Sequence, residues 1–321
     1  MIDAEGRDRI TLSFYKYHNL ADPRQFRDEL FANWEKLDVL GRIYVAYEGI
    51  NAQLSLPADH FQAWKDHLHS IPFLRGIRLN IAVEQDNKAF LKLKIKVRNK
   101  IVADGIEDPT FDATRIGPHL NARAFNEIIG KPDTLLVDMR NHFESEIGHF
   151  QGALKPDVDT FRDSLEIVTG DLQKHKEDRQ LVLYCTGGIR CEKASAYFKH
   201  KGFKNVFQLE GGIIEYLRQV KSENLENKFR GKNFVFDYRM AEAISEDIVS
   251  TCHLCNAPGD THVNCRNEAC HIMLIECAAC SKKLDGCCSE KCREVAALPH
   301  AEQKRLRKGV GAPKKYFKRP K

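Results

Sequence analysis

A cysteine and an arginine separated by four residues mark the part of the chain best suited to thiol chemistry. Residues 181–184 form a short apolar run that favours a buried strand, and Cys185 follows it directly. A glycine-rich loop then leads into a helix expected near Cys191, and such a junction points backbone N–H groups into one concavity that favours an anion. We therefore predict that Cys185 is a nucleophile with a lowered thiol pKa beside the fixed charge of Arg190. The loop residues expected to bind an anion or substrate are Thr186, Gly187, Gly188 and Ile189.

A second cysteine, Cys191, lies six residues after Cys185. It could act as a resolving thiol that forms a transient disulfide with Cys185. It could equally be a small buried packing residue, and this packing role is the favoured one.

The other nine of the eleven cysteines lie between Cys252 and Cys292. Two CxxC pairs with further cysteines at short spacing are typical of zinc sites. A segment of this size has too little apolar surface to fold without a cross-link such as a bound metal ion. We predict two structural zinc ions. In one arrangement, by analogy with cross-braced zinc modules, 252/255 pairs with 277/280 and 265/270 pairs with 288 (or 287) and 292; consecutive pairing is the rival. The predicted ligands are Cys252, Cys255, Cys265, Cys270, Cys277, Cys280, Cys288 and Cys292.

The size and charge of the chain limit its class. Its 321 residues suggest two or three domains, and no apolar run approaches the ~18 residues of a membrane span. The first residues lack a basic-then-apolar signal region, so a cytoplasmic protein without a membrane partner is expected. The net charge of +5 is uneven, because residues 304–321 hold nine Lys or Arg and no acid while the rest is net acidic.

The N-terminal third has the order β-α-β-β-α-β of a ferredoxin-like α+β domain, with strands expected at 10–17, 41–47, 50–56, 77–83 and 91–97. In the last strand, Leu91 and the alternate residues after it are apolar, whereas the residues between them are basic. This predicts a half-buried strand whose outer face either binds RNA, with Tyr44 or Tyr47 near the bases, or is simply solvated. The predicted phosphate contacts there are Lys92, Lys94, Lys96 and Arg98.

The central part alternates strands with helices, which favours a doubly wound parallel sheet whose ligands bind beyond the carboxyl ends of the strands. Cys185 falls at such an end. Asp138 and Arg140 follow another apolar strand, and Arg140 is predicted near the substrate, as is Glu144. The basic C-terminal tail is expected to be a disordered arm that closes on RNA or a solvated terminus. The predicted contacts in the tail are Lys304, Arg305, Arg307 and Lys308.

Several segments resemble rhodanese domains, whose active-site cysteine takes up sulfur as a persulfide. They are LVLYCTGGIR at 181–190, LLVDMR at 135–140, GHFQGA at 148–153 and LEGGI at 209–213. Together with GRIYVAYEGINAQLS at 41–55 and the cysteine cluster, they make the whole chain similar to the bacterial rhodanese-type tRNA uridine hydroxylases. This resemblance alone implies a tRNA partner and oxygen-dependent formation of 5-hydroxyuridine at the wobble position. No fingerprint of an organic cofactor is visible in the sequence.

The hypothesis is therefore a tRNA-modifying enzyme that uses Cys185, with a thiosulfate-type sulfurtransferase or sulfur relay as the alternative. A third possibility, a non-catalytic RNA-binding module, is disfavoured by the intact Cys185 and Arg190. The expected domains are 1–102 (ferredoxin-like), 103–120 (linker), 121–222 (rhodanese-like), 223–300 (connector and Cys-rich zinc module) and 301–321 (basic tail).

Overall fold

The computed structural model of the chain describes residues 8–82, 89–308 and 314–318, which belong to two compact units. The first unit spans Met1–Asn141, Gly152–Lys228 and Val235–Glu242, and the second spans His142–Gln151, Phe229–Phe234 and Ala243–Lys321. Among the described residues, no helix is both long and apolar enough to cross a bilayer.

The elements of the chain are named in order. The first are β1 (Arg9–Tyr17), α1 (Pro23–Glu35), β2 (Leu40–Ala46), β3 (Gly49–Pro57), α2 (Phe61–Ser70), β4 (Asn80–Ile81) and β5 (Leu93–Val97). The next are β6 (His119–Leu120), α3 (Ala122–Ile128), β7 (Thr134–Asp138), α4 (His142–Glu146), β8 (Gly148–Phe150), α5 (Phe161–Asp171), β9 (Gln180–Tyr184), α6 (Ile189–His200), β10 (Asn205–Leu209) and α7 (Gly212–Glu223). The last are β11 (Phe229–Phe234), β12 (Ala241–Ala243), β13 (His262–Asn264), β14 (Met273–Ile275), α8 (Ala278–Leu284), α9 (Glu290–Ala297) and α10 (His300–Arg307).

A five-stranded sheet in the order β4-β1-β3-β2-β5 confirms the predicted ferredoxin-like arrangement. Its first four strands are antiparallel neighbours, whereas β5 is added parallel to β2 at the edge. Asp22 caps α1 by accepting hydrogen bonds from the N–H groups of Arg24 and Gln25, as the Asp-Pro sequence predicts. Trp34 and Trp64, with ring centroids 5.8 Å apart, pack in the core beneath one face of the sheet. The opposite face of the sheet is left to the polar residues of β1, β2 and β3.

Two expectations for this sheet are wrong in detail. The strand expected at 77–83 is formed only at Asn80 and Ile81, which pair with Ser13 and Leu12 of β1; Val83 lies outside the described residues. The strand expected to include Leu91 starts at Leu93, and Leu91 is 55% exposed. Both are edge strands that pair on one side only, so an apolar pattern alone does not fix where the pairing ends.

A second sheet of the first unit is parallel, with the order β6-β10-β9-β7. Its helices lie in two pairs, α5 against α6 and α3 against α7, which is the expected doubly wound arrangement. The α5–α6 side closes over a core that contains Leu165, Leu183 and Phe198. On the other side, Phe125 packs edge to face on Tyr216. The sheet therefore places the end of the buried strand β9, and Cys185 after it, at its carboxyl edge.

Residues 103–118 contain no regular helix or strand, as expected, but they are not a free tether. Asp104 is buried and its carboxylate lies 3.0 Å from Lys193 Nζ on α6. The same ammonium group lies 2.6 Å from Glu48, in the β2–β3 turn. A buried Lys193 with two carboxylate partners thus links the ferredoxin-like sheet to the parallel sheet.

The second unit holds the cysteine-rich segment. It contains the antiparallel pairs β8–β11 and β13–β14, followed by α8, α9 and α10. The expected disordered arm is wrong for the described part of the tail, because residues 300–307 form a helix and residues 314–318 pack on this unit. Tyr316 stacks on Phe143 with ring centroids 4.0 Å apart, and Phe317 stacks on His253 at 4.6 Å. Residues 309–313 and 319–321 lie outside the described part of the chain.

Candidate active site and metal centres

The loop after β9 wraps around the sulfur of Cys185. Gly188 has a φ of 93°, and its N–H lies 3.2 Å from Cys185 Sγ. A Cβ at Gly188 would come within 2.9 Å of the Tyr15 hydroxyl, so both the backbone conformation and the space require glycine. Helix α6 starts at the next residue and directs its N-terminus toward the same loop.

The glycine pair after β10 packs against the cysteine loop. Gly212 has a φ of 66°, and a Cβ there would lie 2.5 Å from the carbonyl oxygen of Cys185. The N–H of Ile213 donates to that carbonyl at 3.0 Å, and the N–H of Ile214 donates to the carbonyl of Thr186 at 3.2 Å. The backbone hydrogen bonds at the end of the L-x-GG segment therefore hold the cysteine loop in a fixed position relative to the sheet.

The environment of Cys185 stabilises its thiolate. Complete burial by itself raises the pKa of a thiol, but three other effects oppose it here. The Cys191 thiol donates a hydrogen bond to the sulfur, the charge of Arg190 attracts the thiolate, and backbone N–H groups of both residues point at it. These lower the pKa of Cys185 to about 6. Burial and the neighbouring sulfur raise the pKa of Cys191 well above its ordinary value, so Cys191 keeps the proton that it donates.

A cavity of about 370 Å³ opens onto Cys185. One wall is the loop, with Thr186, Gly187, Ile189 and Arg190. The opposite wall is the helix-free face of the five-stranded sheet, and Phe236 and its neighbours close a third side. Both sheets belong to the first unit, so this cavity lies within one compact body. Its volume is in the range of small-ligand sites, which is ~300–1,000 Å³. The residues of the sheet wall include Thr11, Ser13, Tyr15, Tyr44, Asn51 and Gln53.

Two residues predicted near the substrate, Arg140 and Glu144, do not line this cavity. Arg140 is fully buried, and its guanidinium binds the buried carboxylate of Asp138 at 2.7 Å. In this structure the strand-end Asp-x-Arg segment thus pairs within itself, and a contact of Arg140 with substrate stays a prediction. Glu144 is also fully buried, in helix α4.

The basic strand β5 lies beside the cavity wall. Lys94 and Lys96 are exposed and stand opposite Arg42 and Tyr44 of β2, both of which line the cavity. Repulsion from Lys96, Lys92 and Arg42 lowers the pKa of Lys94, which shows how densely positive charge is gathered there. The guanidinium of Arg98 lies 5.5 Å from the centre of the Tyr44 ring. Tyr47, the other candidate for base contact, is 67% exposed and does not line the cavity.

The basic residues predicted in the tail lie on or just after α10. Lys304, Arg305 and Lys308 are exposed; Arg305 forms an ion pair with Glu302, and Arg307 forms one with Glu268. These residues belong to the second unit, and the Lys92–Arg98 group belongs to the first.

The cysteines gather into two groups of four, and the members of each group place their sulfur atoms within 4.8 Å of one another. Cys252 and Cys255 meet Cys277 and Cys280, which is the crossed arrangement and not the consecutive one. The second group takes Cys288 as its third ligand and leaves out the buried Cys287. Its members are Cys265, Cys270, Cys288 and Cys292.

Both groups fit a tetrahedral metal ion. The sulfur atoms of Cys255 and Cys277 are 3.6 Å apart, and those of Cys270 and Cys288 are 3.7 Å apart. A tetrahedron with Zn–S bonds of ~2.3 Å has corners about 3.8 Å apart. The backbone N–H of Cys277 also points at the Cys252 sulfur at 3.4 Å, a contact that stabilises a bound thiolate. Each of the two four-thiol groups is thus able to hold a metal ion.

The sequence missed the residues that build the far wall of the cavity. Asn51, Gln53 and Asn80 are ordinary polar residues of strands, and Phe236 is one exposed aromatic residue in a loop. The alternation of polar and apolar residues along β1 and β3 indicates which side chains point away from the core. It does not show which other part of the protein those side chains contact.

Three family models match the chain. They are described as UPF0176 acylphosphatase like domain (residues 9–101), Rhodanese-like domain (residues 121–219) and Rhodanase C-terminal (residues 230–293). The boundaries follow the two sheets and the cysteine-rich segment.

Curated relatives match nearly the whole chain. A protein of Enterobacter sp. (strain 638) named tRNA uridine(34) hydroxylase is 52% identical over 95% of this chain and 88% of its own length. A protein of the same name from Yersinia enterocolitica is 53% identical over 95% of this chain and 87% of its own. Among solved structures, a rhodanese-related protein from Thermoplasma volcanium is 20% identical, with a TM-score of 0.26 over 32% of this chain and 92% of its own, and nothing further rests on that match.

Proposed function

Because the chain belongs to the tRNA uridine(34) hydroxylase family, we propose that it hydroxylates the wobble uridine of tRNA to 5-hydroxyuridine, with molecular oxygen as co-substrate. The observation that carries the proposal is the position of Cys185, whose stabilised thiolate opens onto a cavity walled by a second domain. A sulfurtransferase that serves a small thiol does not need that second wall. The names of the relatives also favour hydroxylation over the sulfurtransferase alternative.

In this proposal Cys185 is the reactive group and Arg190 is its electrostatic partner. The Cys191 hydrogen bond and the charge of Arg190 together keep the sulfur ionised at neutral pH, and the loop of residues 186–189 shapes the anion site around it. We consider two uses of the thiolate, and in both one oxygen atom enters the base while the other is reduced to water by two electrons from an external donor. In one, sulfur adds to C6 of uracil, C5 of the electron-rich adduct is oxygenated, and loss of the C5 proton expels the thiolate. In the other, oxygen first converts the thiolate to a sulfenate, whose oxygen then passes to C5 as the thiolate is restored. RNA with 5-fluorouridine at the target position separates them, because ring addition leaves a covalent protein–RNA adduct through Cys185.

We propose that tRNA is held through the exposed cations of β5, since phosphate contacts dominate the affinity of proteins for nucleic acids. These cations lie beside the part of the cavity wall that Arg42 and Tyr44 form; they are Lys92, Lys94, Lys96 and Arg98. Lys304, Arg305 and Lys308 on the second unit are proposed as further phosphate contacts.

We propose zinc as the metal of the two four-cysteine groups, with a structural role. Four thiolates leave no open position for substrate, so bound zinc would cross-link loops of the second unit and supply folding free energy. The cysteine pairs of the two sites alternate along the chain: 252/255 and 277/280 form one site, and 265/270 and 288/292 form the other. Binding of one ion would therefore help to order the ligands of the other.

We place the reaction in the cytoplasm, where its tRNA substrate is found. The boundaries 1–102, 103–120, 121–222, 223–300 and 301–321 are kept as the proposed division of the chain.

Nucleoside mass spectrometry of tRNA tests the function directly. Cells that lack the gene should lose 5-hydroxyuridine and its derivatives, and the parent gene should restore them, whereas Cys185→Ser should not. Unchanged 5-hydroxyuridine in the deletion strain would refute the proposal. If the deletion changed thiosulfate-dependent sulfur transfer but not 5-hydroxyuridine, the result would favour the sulfurtransferase.

The RNA surface is tested by reversing charge. Lys92, Lys94 and Lys96 changed together to Glu should weaken tRNA binding and reduce the log–log salt slope by about 2, at ~0.7 per single-stranded phosphate contact. The matched control reverses three exposed lysines elsewhere on the first unit, Lys36, Lys131 and Lys174. Equal losses in both variants would mean that net charge, not the β5 surface, determines binding.

A further inference from the structure

The cavity above Cys185 contains polar atoms that the protein does not use for itself. Asn80 is 6% exposed, and its backbone is fixed by pairing with Ser13 of β1. Its Nδ2 lies 3.5 Å from the carbonyl oxygen of Gly187, in the cysteine loop. Among the described residues, nothing donates a hydrogen bond to its buried Oδ1, and the buried Oγ1 of Thr186 also lacks a partner. Both residues line the cavity.

An unpaired buried acceptor is unfavourable and is rarely kept without a reason. Here two such atoms belong to residues that line one cavity, one an amide oxygen that only accepts and the other a hydroxyl that can donate. Two other polar residues of the wall are engaged with the protein, since Asn51 donates to the carbonyl of Ile101 at 3.2 Å and accepts from Gln53 at 2.9 Å. The unused atoms therefore point to a ligand whose edge offers a donor beside an acceptor.

We propose that this cavity binds the uracil ring of the target nucleotide after it has turned out of the RNA, and that Asn80 reads its edge. The amide Oδ1 accepts the N3–H of uracil, and the Thr186 hydroxyl donates to an adjacent ring carbonyl. This assignment rests on the proposed function, because it takes the target base to be uracil. It adds a specificity-determining residue from the ferredoxin-like sheet to a reaction centred on Cys185.

The orientation of the amide determines which base is accepted. Nδ2 is directed at the Gly187 carbonyl, and a flipped amide would place two oxygen atoms against each other, so Oδ1 is the amide atom left for a ligand. Uracil presents N3–H to that oxygen. Cytosine has a lone pair at N3 and would oppose it, leaving both acceptors unpaired.

The cavity also has the faces that an extruded base requires. Tyr44, Phe90 and Phe236 line it, and aromatic side chains stack on the faces of bases with little regard to sequence. Phe236 is 40% exposed and lies 5.9 Å from the guanidinium of Arg190, so it stands at the opening and not in a core. A ring that enters past Phe236 and pairs with Asn80 shares the cavity with the Cys185 sulfur.

The test is a binding cycle with anticodon stem-loop RNAs that carry uridine, 3-methyluridine or cytidine at the wobble position. The full-length protein is compared with Asn80→Leu, which is similar in shape but apolar, and with Asn80→Ala, which leaves room for the extra methyl group. The matched control is Asn233→Leu. Asn233 is fully buried, and neither atom of its amide has a hydrogen-bond partner among the described residues, but it does not line the cavity.

The parent should bind the uridine RNA roughly 5- to 100-fold more tightly than the 3-methyluridine RNA, the range expected for one lost hydrogen bond that leaves a buried acceptor unpaired. In Asn80→Ala this preference should shrink to near unity. Asn80→Leu should also lose it while keeping the melting temperature close to that of the parent, because it removes an unpaired buried amide oxygen together with only one long hydrogen bond of 3.5 Å. Asn233→Leu should keep the full preference for uridine.

Equal binding of all three RNAs by the parent, or an undiminished preference in both Asn80 variants, would overturn the proposal. Formation of 5-hydroxyuridine is measured on the same uridine RNA. If the parent makes none, the proposed function fails even though the binding cycle still reports on the cavity. If the parent makes it with no dependence on Asn80, only the assignment of Asn80 fails.

Discussion

The hydrogen bond from Cys191 to Cys185 gives a prediction that can be worked through in numbers. The pKa of Cys185 is lowered to about 6, so about nine-tenths of it is thiolate at pH 7. Cys191→Ala removes the S–H donor. A hydrogen bond to a charged group contributes about 1.5–3 kcal/mol, which corresponds to a rise of about 1–2 pKa units. The thiolate fraction at pH 7 should then fall to between about one half and one tenth.

Alkylation by iodoacetamide measures this pKa, because only the thiolate reacts at an appreciable rate. Trypsin separates the two cysteines, since peptide 180–190 contains Cys185 and ends before Cys191. Its labelling rate is followed against pH by mass spectrometry. In the parent the rate should rise through about pH 6, and hydroxylation should rise with it. In Cys191→Ala both midpoints should move upward.

Two further variants separate the possible roles of Cys191. Cys191→Ser keeps a hydroxyl donor and should hold the midpoint near that of the parent, although it cannot form a disulfide. Cys287→Ala is the control, because Cys287 is a buried cysteine outside both four-cysteine groups. A parent midpoint near the ordinary thiol value, or an unshifted midpoint in Cys191→Ala, would refute the reasoning. Loss of activity in Cys191→Ser with a normal midpoint would indicate a resolving thiol instead.

The pKa shift also has a consequence for stability. A thiol whose pKa is lower in the folded state than in the unfolded chain stabilises the fold most at pH values above its unfolded pKa. That stabilisation is lost as the pH falls through about 6, where the folded thiolate takes up its proton. The Cys185→Ser variant should therefore show a weaker pH dependence of unfolding than the parent between about pH 6 and 9.

Other perturbations report on the scaffold. Cys252→Ala should lower metal content by about one ion per chain and destabilise the second unit, as measured by elemental analysis and thermal melts; full retention of metal would contradict the crossed grouping of four cysteines. Tyr316→Ala removes the stack on Phe143 and should increase amide exchange in α4 and β14, with about 1–3 kcal/mol less protection; unchanged exchange would mean that the tail does not stabilise the unit. Lys193→Met removes one of the two ammonium groups beside the buried carboxylate of Asp104, the other being that of Lys100, and should cost about 1–3 kcal/mol in urea unfolding, whereas unchanged stability would show that Lys100 alone suffices.

The sequence alone determined the features that depend on short spacing. The Cys185 loop, the capped helix α1 and the alternating strand β5 are each encoded within a few neighbouring residues, because hydrogen bonding and burial repeat with the period of the local element. The CxxC pairs belong to the same class, since two intervening residues are enough for one turn to present both thiols to the same ion.

Tertiary structure alone decided which distant residues meet. The sequence left crossed and consecutive pairing of the cysteines open, because both satisfy the local spacing; the fold chose the crossed one. Arg140 has the residue type of a substrate contact, but the buried Asp138 beside it is the partner that it takes. Asn80 stands more than a hundred positions before Cys185, and only the packing of one sheet against the loop of another places both in the same cavity. The alternation of residues along a strand specifies which side chains point away from the core of its own sheet. Which other surface these side chains then contact is determined by long-range packing, for which the sequence contains no short-range signal.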